Sequence, residues 1–452
     1  MAALSLASTL FALPASASQR ATTSLTPADA SQRVVVPKSL VGKQLTWLLG
    51  VGSLLPLSSK EETAHFDATF IAAEPVTKLN DALASLGSTG SKVTLLRVSN
   101  VTSDALKAVV QIGSITFNVE LAVDSTGHIA SLYFSLAAPI HIPTVSSWTQ
   151  LDKDLKKMAP HASFLAAQLG NDGTCTNVHT VNANTPRPLG SMFKLFILGA
   201  LADAVKNHVI NWNQKVTVTA AIKVGGSGVL QGDPDGTTLT VEQTAIEMIS
   251  ESDNTAADML LALVGRSAVE AEVRSWSSHA SLDVPFLSVA EMFVLKWHAF
   301  PIFAEHYLSL SPAKRLTYLT STIDKIPDSA LSISNSPRDI NSIEWFASPE
   351  DICRALAGLS ALETEPGLGP INTILSANNG GIELKGSWPR VWFKGGSEPG
   401  VLTLGYLARD SSGGTYVVVA MLENTKKPVA SSTLLGLGVV SGALDLLRAG
   451  KT

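Results

Sequence analysis

Apolar positions from Leu40 to Leu49 recur at helical spacing, and the stretches Glu61–Ala73 and Val76–Leu86 carry the same period. Ser59, with Glu62 three positions on, predicts the start of the second helix, and Glu74-Pro75 separates it from the third. After Gly87-Ser88-Thr89-Gly90 the period shortens to that of strands. Val93–Val98, Ala105–Ile112, Ile115–Val123 and Ile129–Leu136 read as four strands joined by turns such as Asp124-Ser125-Thr126-Gly127. Helices followed by an antiparallel meander predict a small α+β domain over residues 31–145.

Pro139–Thr149 reads as a linker. Beyond it the pattern predicts a strand over Ala162–Leu169, a hairpin partner over Val178–Val181, and a helix opening at Ser191. Phe193, Leu195, Phe196, Leu198, Leu201 and Val205 make that helix apolar on nearly every side, which implies a central, buried position. A largely helical middle follows. Val391–Lys394, Leu402–Ala408 and Thr415–Leu422 then read as strands, and Leu434–Leu447 as a closing helix. The expected architecture over residues 150–450 is α/β (α+β): one antiparallel sheet flanked by a helical lobe.

Composition narrows the function classes. Of the 452 residues, 45% are apolar and 16% charged, enough for a core in every segment. The net charge of −5 and the lack of a basic stripe argue against a nucleic-acid partner. Ala2–Ala17 is a short apolar run ending in the small-x-small site Ala15-Ser16-Ala17, which predicts a secretory signal, although no Lys or Arg follows Met1. Residues 1–30 then form a signal and leader, the mature chain is secreted, and no later segment reads as a membrane span. Cys175 falls in a predicted turn and Cys353 on a predicted helix. A single bridge between them is one alternative; two independent small apolar residues is the favoured one. The nine histidines lack metal-ligand spacing, His298 and His306 read as helix-surface residues, and no metal or cofactor is implied.

The chemistry-bearing signal is Ser191-Met192-Phe193-Lys194 at the head of the apolar helix. A hydroxyl and an amine three residues apart share one helical face, close to N–H groups that favour developing negative charge. Alone, the pair reads better as a capping serine and a surface lysine. Ser252-Asp253-Asn254 between two helical stretches, and Lys394-Gly395-Gly396 after the apolar Val391-Trp392-Phe393, change that balance. Ser191 and Lys194 then read as the parts of an activated nucleophile: hydroxyl, adjacent base and a place for an oxyanion.

These three motifs, in this order, resemble those of class A β-lactamases and penicillin-binding proteins. The phrase from Phe393 to Leu402 is similar to that of actinobacterial serine hydrolases carrying a small NTF2/isomerase-like domain ahead of the lactamase-like one, as in clavulanic acid biosynthesis. The resemblance implies a serine hydrolase acting on a small-molecule amide or ester, a β-lactam among the candidates. It implies Ser191 as nucleophile, Lys194 as base, Ser252 as proton relay and Lys394 as the cation serving substrate and relay. Asn254 would bind the acyl side-chain amide. Gly395, Gly396 and Ser397 would line the substrate, with an oxyanion hole made from the backbone N–H groups of Ser191 and Ser397.

Two departures qualify that reading. Gly395 stands where the family has Thr or Ser, removing a hydroxyl that would hold a carboxylate. No carboxylate between Asp328 and Ser348 has the family's deacylating context; Glu344 is the nearest candidate for a deacylation base and reads equally as an ordinary loop residue. The aromatic-rich segment Pro285–Pro312 is expected to reshape the pocket rim. The alternative function is a weakly active or non-catalytic ligand-binding accessory protein that keeps the fold.

Overall fold

In a computed structural model of the chain, the described residues are Val34, 36–73, Leu79, Asn80, Leu83, 93–112, 115–136, 145–326, 336–382, 384–429 and 432–450. The expected signal and leader therefore lie outside them, as does most of the helix expected over Val76–Leu86 and part of the linker. The chain divides into two compact units, the second beginning at Ile142.

In the first unit, helix α1 (Leu40–Gly50) starts where the Ser39 side chain accepts from Gly42 N–H. The next stretch departs from expectation at both its start and its middle. The capping box is Ser58 with Glu61, one residue earlier than predicted. The single expected helix is also broken at Phe66-Asp67 into α2 (Ser59–His65) and α3 (Ala68–Ala73), because Phe66 turns extended to bridge Ile129 and Asp67 Oδ1 accepts from Phe70 N–H at 2.6 Å. Strands β1 (Val93–Ser99), β2 (Ala105–Ile112), β3 (Ile115–Val123) and β4 (Ile129–Leu136) form an antiparallel meander. Alternate residues Leu106, Ala108 and Val110 of β2 and Phe117, Val119 and Leu121 of β3 share one core with Val41, Leu45 and Phe66.

In the second unit, α4 (Trp148–Met158) leads into β5 (His161–Leu169), β6 (Cys175–Val181) and the two-residue β7 (Arg187–Pro188). Helix α5 (Lys194–Lys206) is buried through its first nine residues. The lobe continues with β8 (Lys215–Thr217), β9 (Thr238–Thr240), α6 (Val241–Ser250), α7 (Asn254–Val264), α8 (Arg266–Trp276), α9 (Val289–Trp297), α10 (Ile302–Ser309) and α11 (Pro312–Ser321). After β10 (Phe346–Ala347), α12 (Pro349–Glu363) and α13 (Pro370–Ser376), the chain returns to β11 (Arg390–Glu398), β12 (Val401–Arg409) and β13 (Thr415–Glu423), then closes with α14 (Thr433–Arg448). The main sheet runs β11-β12-β13-β5-β6, antiparallel throughout. Val417, Val419 and Met421 join the helical core while the intervening Val418, Ala420 and Leu422 are buried as well, so both faces are covered.

Three expectations change here. Cys175 and Cys353 are bonded: β6 starts at Cys175, α12 packs against the sheet, and their Cα atoms come within 6.4 Å. The aromatic residues Phe286, Phe293, Trp297 and Tyr307 of the 285–312 segment fill the lobe's interior rather than a rim. Of the two histidines expected on helix surfaces, His306 is exposed, whereas His298 is half-buried at the end of α9 with its ring against Phe303.

Candidate active site

The nucleophile turn is built by close backbone approach. Ser191 lies in a short 3₁₀ turn, Gly190–Phe193, that feeds directly into α5. Leu189 is held on both sides: its N–H donates to Trp345 O at 2.8 Å and its carbonyl accepts from Thr403 Oγ1 at 2.7 Å. Phe193 stacks on Trp345 with ring centroids 3.6 Å apart. Gly190 has φ of +50°, and a Cβ there would sit 2.8 Å from Ser397 N. A Cβ on Gly396 would meet Leu189 O and lie 2.5 Å from Ser191 N. Glycine at both positions lets strand β11 run against the nucleophile turn, which brings the N–H groups of Ser191 and Ser397 to the same place.

Ser252 is carried by the tight connection between α6 and α7. Its φ of +55° is rare for a residue with a side chain, and the surroundings over-determine it. Asp253 caps α7 by accepting from Ala256 N–H at 2.8 Å, and its other oxygen accepts from Val229 and Leu230 N–H at 2.7 and 2.8 Å. The middle residue of the motif is thus a buried clamp that presents its two neighbours to the site.

Those neighbours meet Lys194, which is fully buried. Its Nζ lies 3.3 Å from Ser191 Oγ, 2.5 Å from Ser252 O, 2.8 Å from Asn254 Oδ1 and 3.4 Å from Ser252 Oγ. Burial lowers its pKa to about 7, opposed by the charges of Asp253 and Asp258. A neutral amine has two N–H donors and one lone pair. Ser252 O and Asn254 Oδ1 take the donors, so the lone pair is left to face the Ser191 hydroxyl. Asn254 Nδ2 in turn donates to Gly225 O at 2.8 Å, which fixes the amide's orientation. This lysine-orienting contact of Asn254 was not foreseen from its place in the motif.

Lys394 approaches Ser252 from the other side. Its Nζ donates to Ser252 Oγ and to Gly395 O, each at 2.9 Å. Burial, and then the nearby Lys194, push its pKa well below the ordinary lysine value. Two ammonium groups converging on one hydroxyl disfavour double protonation. Position 395 has its own steric reason. A Cβ there would lie 2.8 Å from the Phe393 ring and 3.0 Å from Thr403 O. Phe393, tilted against Tyr406 at 4.7 Å, occupies the room a threonine side chain would need.

Glu344 lies behind the nucleophile turn. Its Oε2 accepts from Gly190 N–H at 3.1 Å and Trp345 N–H at 3.0 Å, and its side chain is fully buried. Among the described residues it makes no hydrogen bond to Ser191 Oγ or Lys194 Nζ, a placement that suits holding the turn rather than activating water. The structure thus gathers Ser191, Lys194, Ser252, Asn254, Lys394, Gly395, Gly396 and Ser397, and sets Glu344 one layer behind them.

The model of the β-lactamase enzyme family matches residues 147–434. The chain belongs to that family. It has the antiparallel sheet and helical lobe of the β-lactamase/transpeptidase fold. A curated relative, β-lactamase VEB-1 of Pseudomonas aeruginosa, is 32% identical over 87 residues, which is 19% of this chain and 29% of that protein. Among solved structures, the β-lactamase of Sphaerobacter thermophilus DSM 20745 is similar at 21% identity, with 68% of this chain and 99% of that one covered and a TM-score of 0.47. PBP-A is similar at 15% identity, with 68% and 98% covered and a TM-score of 0.45. No helix among the described residues of this β-lactamase-family chain is long and apolar enough to cross a membrane.

Proposed function

We propose that this chain transfers acyl groups from a small ester or amide, β-lactams included, to Ser191 and then to water. The observation that carries the proposal is the buried Lys194 amine, its donors spent on Ser252 O and Asn254 Oδ1, 3.3 Å from Ser191 Oγ. Lys194 takes the Ser191 proton as Oγ attacks the carbonyl. The carbonyl oxygen gains negative charge between the N–H groups of Ser191 and Ser397, where one donor is worth about 3 kcal/mol of transition-state stabilisation. Ser252, in contact with both lysines, passes a proton to the leaving nitrogen or oxygen, and Lys394 holds that hydroxyl and offers charge to the substrate. Asn254 keeps one N–H beyond the bond to Gly225 for an acyl-side amide.

Release is the weaker half of the cycle. Among the described residues no carboxylate hydrogen-bonds Ser191 Oγ or Lys194 Nζ, so none of them is placed there as a dedicated base for the hydrolytic water. Slow turnover, in an esterase-like or penicillin-binding manner, follows. A fluorescent penicillin or an activated ester should label the wild type and leave Ser191→Ala unlabelled; absence of labelling by either would refute the proposal. A second reading, a ligand-binding accessory protein, is favoured by Gly395 and the Phe393 ring beside it, which leave no hydroxyl at that position for a substrate carboxylate. Under it, Lys194→Ala leaves function unchanged. Export of the chain by its N-terminal segment is proposed on the sequence pattern alone.

A further inference from the structure

Three ionisable side chains are buried together behind the nucleophile turn, where no chemistry described so far uses them. Lys296 of α9 is fully buried, and its Nζ lies 2.6 Å from Glu398 Oε1 and 3.9 Å from Glu344 Oε1. Glu398 ends β11 directly after Ser397, where it pairs in register with Val401. It is held by the Lys296 ion pair and by its place in the β11–β12 hairpin.

 Glu344 stands on the other arm, its Oε2 accepting from the N–H of Gly190, the residue before Ser191. Its Oε1 has no hydrogen-bond partner among the described groups, and the Glu398 carboxyl lies beside it.

Burial, and then the adjacent Glu398, hold the Glu344 carboxyl well above the usual carboxylate range. Its Oε2 serves the Gly190 and Trp345 N–H groups, while Lys296 pairs with Glu398 at 2.6 Å. A buried cluster with matched charges is tolerable in an apolar surround, whereas one with an unpaired member is costly. The cluster touches one arm of the oxyanion hole through Gly190 and the other through the residue that follows Ser397.

We propose that Glu344, Lys296 and Glu398 are positioning residues for the oxyanion hole, a buried bridge that sets the separation of the Ser191 and Ser397 N–H groups. The proposal rests on the acyl-transfer reading above. Glutamine at position 344 keeps the shape of the side chain: its oxygen can accept from Gly190 and Trp345, and its amide N–H can face Glu398. Alanine removes the bridge. A misplacement of about 1 Å in a catalytic group costs roughly 100-fold in rate, which bounds the effect from above.

The test uses the full chain and an activated ester, with kcat and KM normalised to folded protein, and the affinity for phenylboronic acid as a mimic of the tetrahedral adduct. Glu344→Ala should lower kcat by about 10- to 100-fold and weaken the boronic acid in parallel, with KM within about twofold. Glu344→Gln should recover kcat to within about threefold of wild type. Where Glu344→Ala does not fold, Glu398→Gln carries the test, with a smaller fall in kcat and boronic acid affinity at unchanged KM. An active wild type with unchanged kcat in the variant that folds would overturn the bridge alone. Glu344→Gln falling as far as Glu344→Ala would overturn it in favour of a titrating role. A wild type that no ester or β-lactam acylates would overturn the acyl-transfer reading, and the bridge with it.

Discussion

The pH dependence of acylation follows directly from the burial of Lys194. An amine acts as a base only when neutral. At pH 7 a lysine with the ordinary value of 10.5 is neutral in roughly one molecule in 3,000, whereas one lowered to about 7 is neutral in about half. That difference corresponds to about 5 kcal/mol between the protonation states, drawn from desolvation of a fully buried ammonium. The second-order rate constant for acylation of Ser191 should therefore climb about tenfold per pH unit below pH 7 and level off above it. Stopped-flow labelling with a reporter β-lactam or ester from pH 5.5 to 9, under conditions where the reagent is stable, reads it. A profile flat across that range, or a rising limb centred near pH 10, would refute the argument. The same burial has a sign in stability. The unfolded chain keeps the lysine proton up to about 10.5 while the folded chain sheds it near 7, so the destabilisation is full below pH 7 and shrinks as pH rises towards 10.5.

Removing the Cys175–Cys353 bridge by Cys175→Ser with Cys353→Ser opens a link across 178 positions, worth about 5 kcal/mol on the chain-entropy account; thermal melts with and without reductant should show a large drop in Tm for the wild type only. Gly396→Ala places a Cβ 2.5 Å from Ser191 N, and acylation should fall by about 100-fold while the far-UV spectrum stays native. Asp351 accepts from Ser348 and Ser278 and pairs with His279 at 2.7 Å; although burial raises its pKa, those bonds bring it down to about 2. Its stabilisation is present above about 3.8 and lost as pH falls through about 2, so the stability gap between wild type and Asp351→Asn should close over that window in acid unfolding.

Much of this was legible in the chain because it is local. The four strands of the first unit alternate every second residue, and their observed limits lie within a residue or so of the pattern. Ser191 and Lys194 share a helical face by spacing alone, and the flanks of Ser252 announce the helices that carry it. What stayed hidden depends on distant segments meeting. Nothing near Cys175 or Cys353 reports that β6 and α12 pack together. Lys296 sits in the apolar run Phe293–Trp297, where a lone cation hints at burial but not at its partner, and Glu398 looks like a hairpin residue. Glu344 stands out in the sequence by its charge alone, whereas its placement depends on the pairing of β10 with β7, two residues each. Gly395 is explained by Phe393, two positions away on the same face of β11, once the strand's register is known.

The central claim is that Ser191 is acylated and that release is slow. Intact-mass measurement after incubation with penicillins and short activated esters tests both halves at once. The account predicts a single adduct of the acyl mass, mapped to the peptide containing Ser191, absent from Ser191→Ala, and persisting for minutes or longer after excess reagent is removed. No adduct with any reagent, or an adduct that forms equally on Ser191→Ala, would contradict it.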